Sequence, residues 1–557
     1  MSHTSSYILN QTTKQPNSAA RSLLKKNPQL LRGILRGIEK ESLRVDQRGK
    51  LVQTPHPKAL GAALTHPSIT TDYSEALLEF ITQPHSSVST LLQQLDDTHR
   101  YTYRHIGSEI LWTSSMPCAL SNDADIPVAQ YGSSNVGRMK TVYRLGLGHR
   151  YGRSMQTIAG IHYNFSLPDA LWQALHQADN SPLSLTDYKT ERYFALIRNF
   201  RRHYWLLIYL FGAAPAVCRS FIKGREHHLV PFEGDDHTLH SPYATSLRMG
   251  DLGYQSSAQG ELVVCYNNLD NYLKTLCSAI TRAHPDYQNI GVRNGHNSDG
   301  DGNSYRQLNG NLLQIENEFY SAIRPKRTAH SGETALGALH RGGVEYIEVR
   351  CIDLNPFEPL GINAEQIQFI DSFLLHCLLT DSPESDAEEH SRIQENQSRV
   401  VYRGREPQLM LQTASGECSL QECATTLLSS IASAADLLDH ADIDDADNAK
   451  PHTAACTQQY AKLSNPELMP SAQLLQKMRD NKQTFFRLSM TQALNHQNHF
   501  LQKSPATDAN IEQQFKALAE KSWRDQTAIE QADDIDFETY LNNFYQQYQH
   551  CSDNNAP

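Results

Sequence analysis

An α+β fold, with a mainly antiparallel sheet and helices packed on it, is predicted by three features of the chain. Between Leu30 and about Asp381, short strand-like runs alternate with helical ones, yet neighbouring strands are not joined by a regular strand–helix–strand repeat. Several of those runs carry acids at alternate positions, the period of a strand. After Thr380 the pattern turns almost wholly helical.

In chain order, residues 1–20 read as a loose polar leader without the apolar core of a secretory signal. Residues 21–380 read as a catalytic α+β domain. Its expected strands are Gly37–Val45, Leu77–Thr82, Gly160–Ser166, Glu261–Tyr266, Leu312–Glu318 and Val344–Ile352, with helices at Ser87–Arg104, Glu191–Phe211 and Ala364–Leu379. Gly146–Gly152 misses the dinucleotide-loop spacing and reads as a turn, and Asn294–Ser304 reads as a turn-rich insertion. Residues 381–557 read as a mostly helical region packed on the domain. It opens with a polar loop, Asp381–Gln397, and ends in the stripe Phe537, Tyr540, Leu541, Phe544, Tyr548, with Asp536 as its N-cap.

Composition excludes several classes. The net charge of −11 has no long Lys/Arg run within it, so no nucleic-acid partner is expected. The longest apolar run, Tyr204–Cys218, is broken at Pro215 and falls short of the roughly 20 residues a bilayer span needs, so no membrane partner is expected either. The ten cysteines form no CxxC or zinc-like cluster and read as reduced thiols of a cytoplasmic protein.

Chemistry concentrates on strands. There is no GxxxxGK[ST] and no GxGxxG, and Asp299–Asn303 lacks the glycine and glutamate a calcium loop requires. In Gly37-Ile38-Glu39-Lys40-Glu41-Ser42-Leu43, alternation puts Glu39 and Glu41 on one face, about 7 Å apart. Two acids so close repel unless a cation neutralises them, and a hard divalent ion such as Mg²⁺ suits oxygen ligands. Glu79 sits in the apolar run Leu77–Thr82, and His162, Asn164 and Ser166 share a face. Glu348 lies two residues from Arg350 in Glu345-Tyr346-Ile347-Glu348-Val349-Arg350. Each acid taken singly reads equally as a satisfied structural group; the set together points to a metal site. Arg324 and Lys326 in Ile323–Arg327 suit either a solvated turn or phosphate contact, and Arg144, Arg248 and Arg350 are embedded among apolar neighbours, where arginines hold carboxylate or phosphate.

Those residues lie in long blocks, among them RGIEKESLRV, AQYGSSNVGRMKTVYRLGL, GIHYNFSLP, PYATSLRMGDLGY, LQIENEFYSAIRPKR and RGGVEYIEVRCIDLNPFEPLGI, that resemble the proteobacterial glutamate–cysteine ligases over roughly residues 25–380. The resemblance implies a glutamine synthetase-like fold, with a curved, mainly antiparallel sheet forming a funnel-shaped site. It implies ATP as co-substrate, Mg²⁺ with Mn²⁺ as a substitute, and L-glutamate and L-cysteine as partners, the chain acting as a monomer. By motif position it implies Glu39, Glu41, Glu79, His162 and Glu348 as metal ligands, with Glu348 and Arg350 catalytic. Arg144 and Arg248 would bind substrate, Tyr73, Tyr143, Tyr254 and Tyr320 would line the cysteine pocket, and Arg324 and Lys326 would meet the phosphates. The alternatives are another carboxylate–amine ligase on the same scaffold, or a catalytically silent binding protein.

Overall fold

The computed structural model describes residues 18–117, 119–253, 259–260, 262–293, 305–330, 332–441, 450–502 and 505–548. Tyr254, the 294–304 insertion and most of the leader lie outside the described residues.

In chain order the strands are β1 (Leu35–Val45), β2 (Ile69–Thr71), β3 (Leu77–Ile81), β4 (Ile110–Leu111), β5 (Ile161–Ser166), β6 (Ala216–Cys218), β7 (Val230–Phe232), β8 (Asp235–His240), β9 (Ile323–Lys326), β10 (Tyr346–Ile352), β11 (Met410–Thr413) and β12 (Gly416–Ser419). Seven of them form one open sheet in the order β2-β3-β1-β5-β10-β9, with β4 pairing β1. Every pairing in it is antiparallel. The expected antiparallel α+β class is therefore the one observed.

Alternation sorts the central strands into two faces. The back face carries Ile38, Phe80, Ile161, Phe165, Ile347 and Val349, all buried. Helices Val88–His105, Leu185–His203 and Ala364–Leu379 cover it. Side-chain caps set where they begin: Ser87, Ser184 and Asn363 each accept a hydrogen bond from the first turn. The front face carries the acids and cations and is left open for the site.

Several sequence expectations are corrected. Residues 262–266 and Leu312–Ile315 form no strand, and Glu316–Glu318 is a 3₁₀ turn. The helix expected over Glu191–Phe211 breaks at Tyr204 into Leu185–His203 and Trp205–Phe211. Gly146–Tyr151 is the end of a 17-residue helix, Asn135–Tyr151, and only Gly152, at φ +82°, is a turn residue. Gly146 lies flat against Gln314 and Gly148 against the Tyr73 hydroxyl, and a Cβ at either would collide. The glycines thus serve close packing of a helix, where the sequence reading had taken them for a chain reversal. Most of Asp381–Gln397, expected as a loop, belongs to the helix Ala387–Arg403, because Asp386 caps it and Ile393, Val400 and Val401 give it a buried side.

The helices Leu420–Ala441 and Pro451–Ser464 pack on Ala364–Leu379. The last helix, Phe537–Gln546, is capped by Asp536 and buries Phe537 and Leu541, as its stripe predicts. Cys265, Cys351, Cys377, Cys418, Cys423 and Cys456 are free, but Cys218 and Cys277 are disulfide-bonded, against the reading of all as thiols. Pairing requires Cα atoms within about 7 Å, which spacing along the chain does not reveal. Among the described residues no helix is long and apolar enough to cross a membrane.

Phe80 is fully buried on the back of β3, its ring 4.7 Å from that of His99. Phe80→Ala is expected to cost about 3–5 kcal/mol of unfolding free energy, read from urea denaturation.

Candidate active site

Strand register assembles the front face. Glu41 on β1 stands directly opposite Glu79 on β3, and Glu39 directly opposite His162 on β5. Glu348 on β10 lies between Asn164 of β5 and Arg324 of β9. The face therefore grades from acidic at β3 and β1 to basic at β9.

Three of the expected ligands converge most tightly. Glu39, Glu79 and His162 each offer one donor atom, and the three atoms lie within 4.8 Å of one another. Glu41 and Glu348 flank this trio: Glu41 Oε1 is 3.6 Å from His162 Nε2, and Glu348 Oε1 is 3.7 Å from His162 Nδ1. His162 Nδ1 also lies 3.2 Å from Glu39 Oε2, and the Asn164 amide donates to Glu39 Oε1 at 2.8 Å. One buried atom of the group, His162 Nε2, makes no hydrogen bond. Carboxylates gathered around an imidazole with an unsatisfied ring nitrogen fit a divalent cation with oxygen and nitrogen ligands.

Titration behaviour follows the charge gradient. Burial drives Glu79 well above the usual carboxylate range, with further pushes from Glu39, Asp72 and Glu41. Burial, then the charge of Asp72, raises Glu41 to about 8, although Glu41 Oε2 accepts from the Gly160 N–H at 2.6 Å. Glu348 goes the other way. Burial opposes its charge, but Lys326 and Arg350, each 3.2 Å from Oε2, outweigh it and hold the pKa well down. Burial lowers His162, and the Arg350 charge adds to this, which favours a neutral imidazole able to ligate.

The cations are placed as follows. Arg350 Nη1 reaches 3.4 Å from His162 Nδ1 as well as its bond to Glu348. Lys326 also faces Glu348, and Arg324 donates to the carbonyls of Asn317, at 2.9 Å, and Phe319. The segment expected as a possible turn here is strand β9. Arg144 donates to the Asp72 carbonyl and stacks 4.6 Å over the Tyr131 ring. Arg248 is buried, donating to the Arg350 carbonyl at 2.9 Å with Asp353 3.7 Å away, and its charge is felt by Glu41.

Of the expected tyrosines, Tyr73 is buried with its hydroxyl unbonded, Tyr143 is half-buried on Asn135–Tyr151, and the Tyr320 hydroxyl accepts from Gln156 Nε2 at 2.8 Å. A cavity of about 850 Å³ opens beside Tyr320, lined also by Tyr151, Met249, Gln259, Ala322 and Ile323. None of Glu39, Glu41, Glu79, His162 and Glu348 lines it. Asn164 sits where alternation put it, on the face of His162, although no role was read for it. Two residues of the site were missed from sequence: Asp72 sits in a bend and Gln156 in a 3₁₀ turn, and neither carried a periodic signal.

The sequence model of the family described as glutamate–cysteine ligase matches residues 21–400. A glutamate–cysteine ligase of Saccharophagus degradans is 54% identical over 529 residues, 95% of this chain and 97% of that protein. One of Alcanivorax borkumensis is 52% identical over 92% of this chain and 96% of that protein. The crystal structure of the Francisella tularensis glutamate–cysteine ligase in complex with AMP superposes with a TM-score of 0.85 at 35% identity, covering 97% of this chain and all of that one.

A carboxyl whose folded pKa is raised binds more protons in the native state than in the unfolded one, so its contribution to stability falls as pH rises between the two values. For Glu41 that window runs from the ordinary glutamate value of 4.5 to about 8. Glu41→Gln should therefore raise the melting temperature of the metal-free chain at pH 8 more than at pH 5. Equal shifts at both pH values would show that Glu41 is not carrying the proton.

Proposed function

Because this chain belongs to the glutamate–cysteine ligase family, we propose that its sheet-borne acids and cations carry out the ATP-dependent joining of the L-glutamate γ-carboxylate to the L-cysteine amine. The products are γ-glutamylcysteine, ADP and phosphate, the first step of glutathione biosynthesis. The observation that carries the assignment of the site is the graded front face: Glu39, Glu79 and His162 within 4.8 Å at one end, Arg350 and Lys326 around Glu348 at the other.

A carboxylate does not condense with an amine at neutral pH, so the γ-carboxylate must first be activated. Its oxygen attacks the γ-phosphorus of ATP and the bond to the ADP oxygen breaks, leaving a γ-glutamyl phosphate. The cysteine nitrogen then attacks the acyl carbon and phosphate departs with the bonding pair. Mg²⁺, replaceable by Mn²⁺, supplies the positive charge that phosphate oxygens need when bound.

Glu39, Glu41, Glu79, His162 and Glu348 would hold the metal, and Asp72 deepens the negative field at Glu41 and Glu79. Arg350, Arg324 and Lys326 line the basic end, where they would face the transferred phosphoryl group and the nucleotide phosphates. Arg144 and Arg248 would bind and orient glutamate, Arg248 being tied also to the Arg350 carbonyl. Tyr73, Tyr143, Tyr254 and Tyr320 would shape the acceptor pocket, with the cavity beside Tyr320 giving the amine its approach. The chain would act in the cytoplasm as a monomer.

Coupled measurement of ADP release with glutamate, with and without cysteine, tests the reaction. Cysteine-dependent turnover and a γ-glutamylcysteine product are expected; turnover only with other amines would reassign the acceptor. Arg350→Lys keeps the charge and loses the planar fork, so kcat should fall on the order of 10²–10³-fold at saturating Mg²⁺ with KM for glutamate little changed. A defect confined to KM would make Arg350 a ground-state binder. Excess Mg²⁺ should partly restore Glu39→Gln by mass action and leave Arg350→Ala inactive; equal rescue of both would undo this division of roles.

A further inference from the structure

On the back of the sheet, besides the buried Lys40–His99 pair, lies a knot of charge. Arg36 of β1 and Tyr163 of β5 converge on Asp371, which is fully buried in helix Ala364–Leu379. Arg36 Nε donates to Asp371 Oδ2 at 2.6 Å and the Tyr163 hydroxyl donates to Oδ1 at 2.6 Å. Arg36 Nη1 is spent on the carbonyls of Ile34, at 3.0 Å, and Ser86, at 2.6 Å. On the far side stands buried His452, its Nε2 3.9 Å from Asp371 Oδ2 and its Nδ1 3.0 Å from Asp439 Oδ1. Asp439 is fixed in turn by the N–H groups of His452 and Thr453, both at 2.9 Å. Burial alone would lower the His452 pKa, but the carboxylates on both sides raise it, which suits a cationic bridge between them.

Such a knot is a poor source of stability, because apolar residues of similar volume would fill the space as well. What it does supply is a fixed register. Arg36 lies three residues before Glu39, and Tyr163 is the neighbour of His162. Both are tied to the same carboxylate from behind, while Glu39 and His162 face each other in front. A one-residue slip of β1 on β5 would send Glu39 to the back face, and a smaller slide would part it from His162.

We propose that Asp371 is a positioning residue for the ligase: gripping Arg36 and Tyr163 together, it fixes the slide of β1 on β5 that sets Glu39 against His162, and His452 with Asp439 braces it from the helical region. The inference rests on the reading of Glu39, Glu79 and His162 as metal ligands.

The test is a calorimetric titration of the nucleotide-free full-length chain with Mn²⁺, paired with metal-free melting curves. Tyr163→Phe keeps the ring and removes only the hydroxyl, so it tests the tie even if Asp371→Asn fails to fold. Both variants should bind Mn²⁺ on the order of tenfold more weakly, the usual effect of losing a group that orients a ligand. Ile38→Val trims the back face opposite Tyr163 without touching the knot and should bind as the unaltered chain does. Unchanged Mn²⁺ affinity in Tyr163→Phe, whatever its melting temperature, overturns the proposal. So does an equal loss in Ile38→Val, which would mean general loosening. Failure of the unaltered chain to bind Mn²⁺ would bring down the metal reading itself, and the inference with it.

Discussion

Glu41 and Glu79 stand face to face on adjacent antiparallel strands, an arrangement that destabilises a sheet when both are charged. Asp72 adds to the same field, and Glu39 lies close by. The rest of the molecule answers this repulsion. In the metal-free chain protons answer it, which is why burial and neighbouring charge lift both Glu41 and Glu79. Further across the sheet Lys326 and Arg350 answer it, holding Glu348 ionised. A bound cation would replace the protons, so metal uptake and proton release are two sides of one equilibrium. The apolar back face and its helices supply the rigidity without which the acids would move apart.

Much of this was legible because β1, β3, β5 and β10 keep a strict period of two, and a charged residue inside such a run has only one face to occupy. While family resemblance implied their convergence, Glu39, Glu41, Glu79, His162 and Glu348 could be placed on strands before any coordinates. Which of them touch could not, since that depends on strand order: β5 lies between β1 and β10, and no local signal announces it. The same limit explains Asp72 and Gln156, which reach the site from irregular segments.

The helix Asn135–Tyr151 failed to declare itself for a different reason. It has neighbours on several sides, Tyr73 and Gln314 among them, and so shows no single apolar stripe. Its glycines looked like breakers because their value lies in the space they leave empty. Arg248 was easier to read: an arginine amid apolar residues signals a buried anion partner, and the buried Asp353 stands 3.7 Å away, beside a bond to the Arg350 carbonyl. The tyrosines came from family resemblance alone, since an aromatic in a loop reads the same whether it lines a pocket or fills a core.

The last described helix has a bearing on how the protein is made. The Tyr545 hydroxyl donates to the Gln314 carbonyl, the Tyr548 hydroxyl to Glu316, and Gln547 accepts from the Thr334 N–H. Gln314 in turn donates to the Tyr143 carbonyl of the helix Asn135–Tyr151. On the ribosome, all ten strands of the two larger sheets have been synthesised by Ile352, nearly two hundred residues before Tyr548. The nascent chain can thus pair the strands of its sheets before Tyr545, Gln547 and Tyr548 are there to make these bonds. A chain without this last segment would keep the strand pairing and lose the outer ties on Gln314, Glu316 and Thr334.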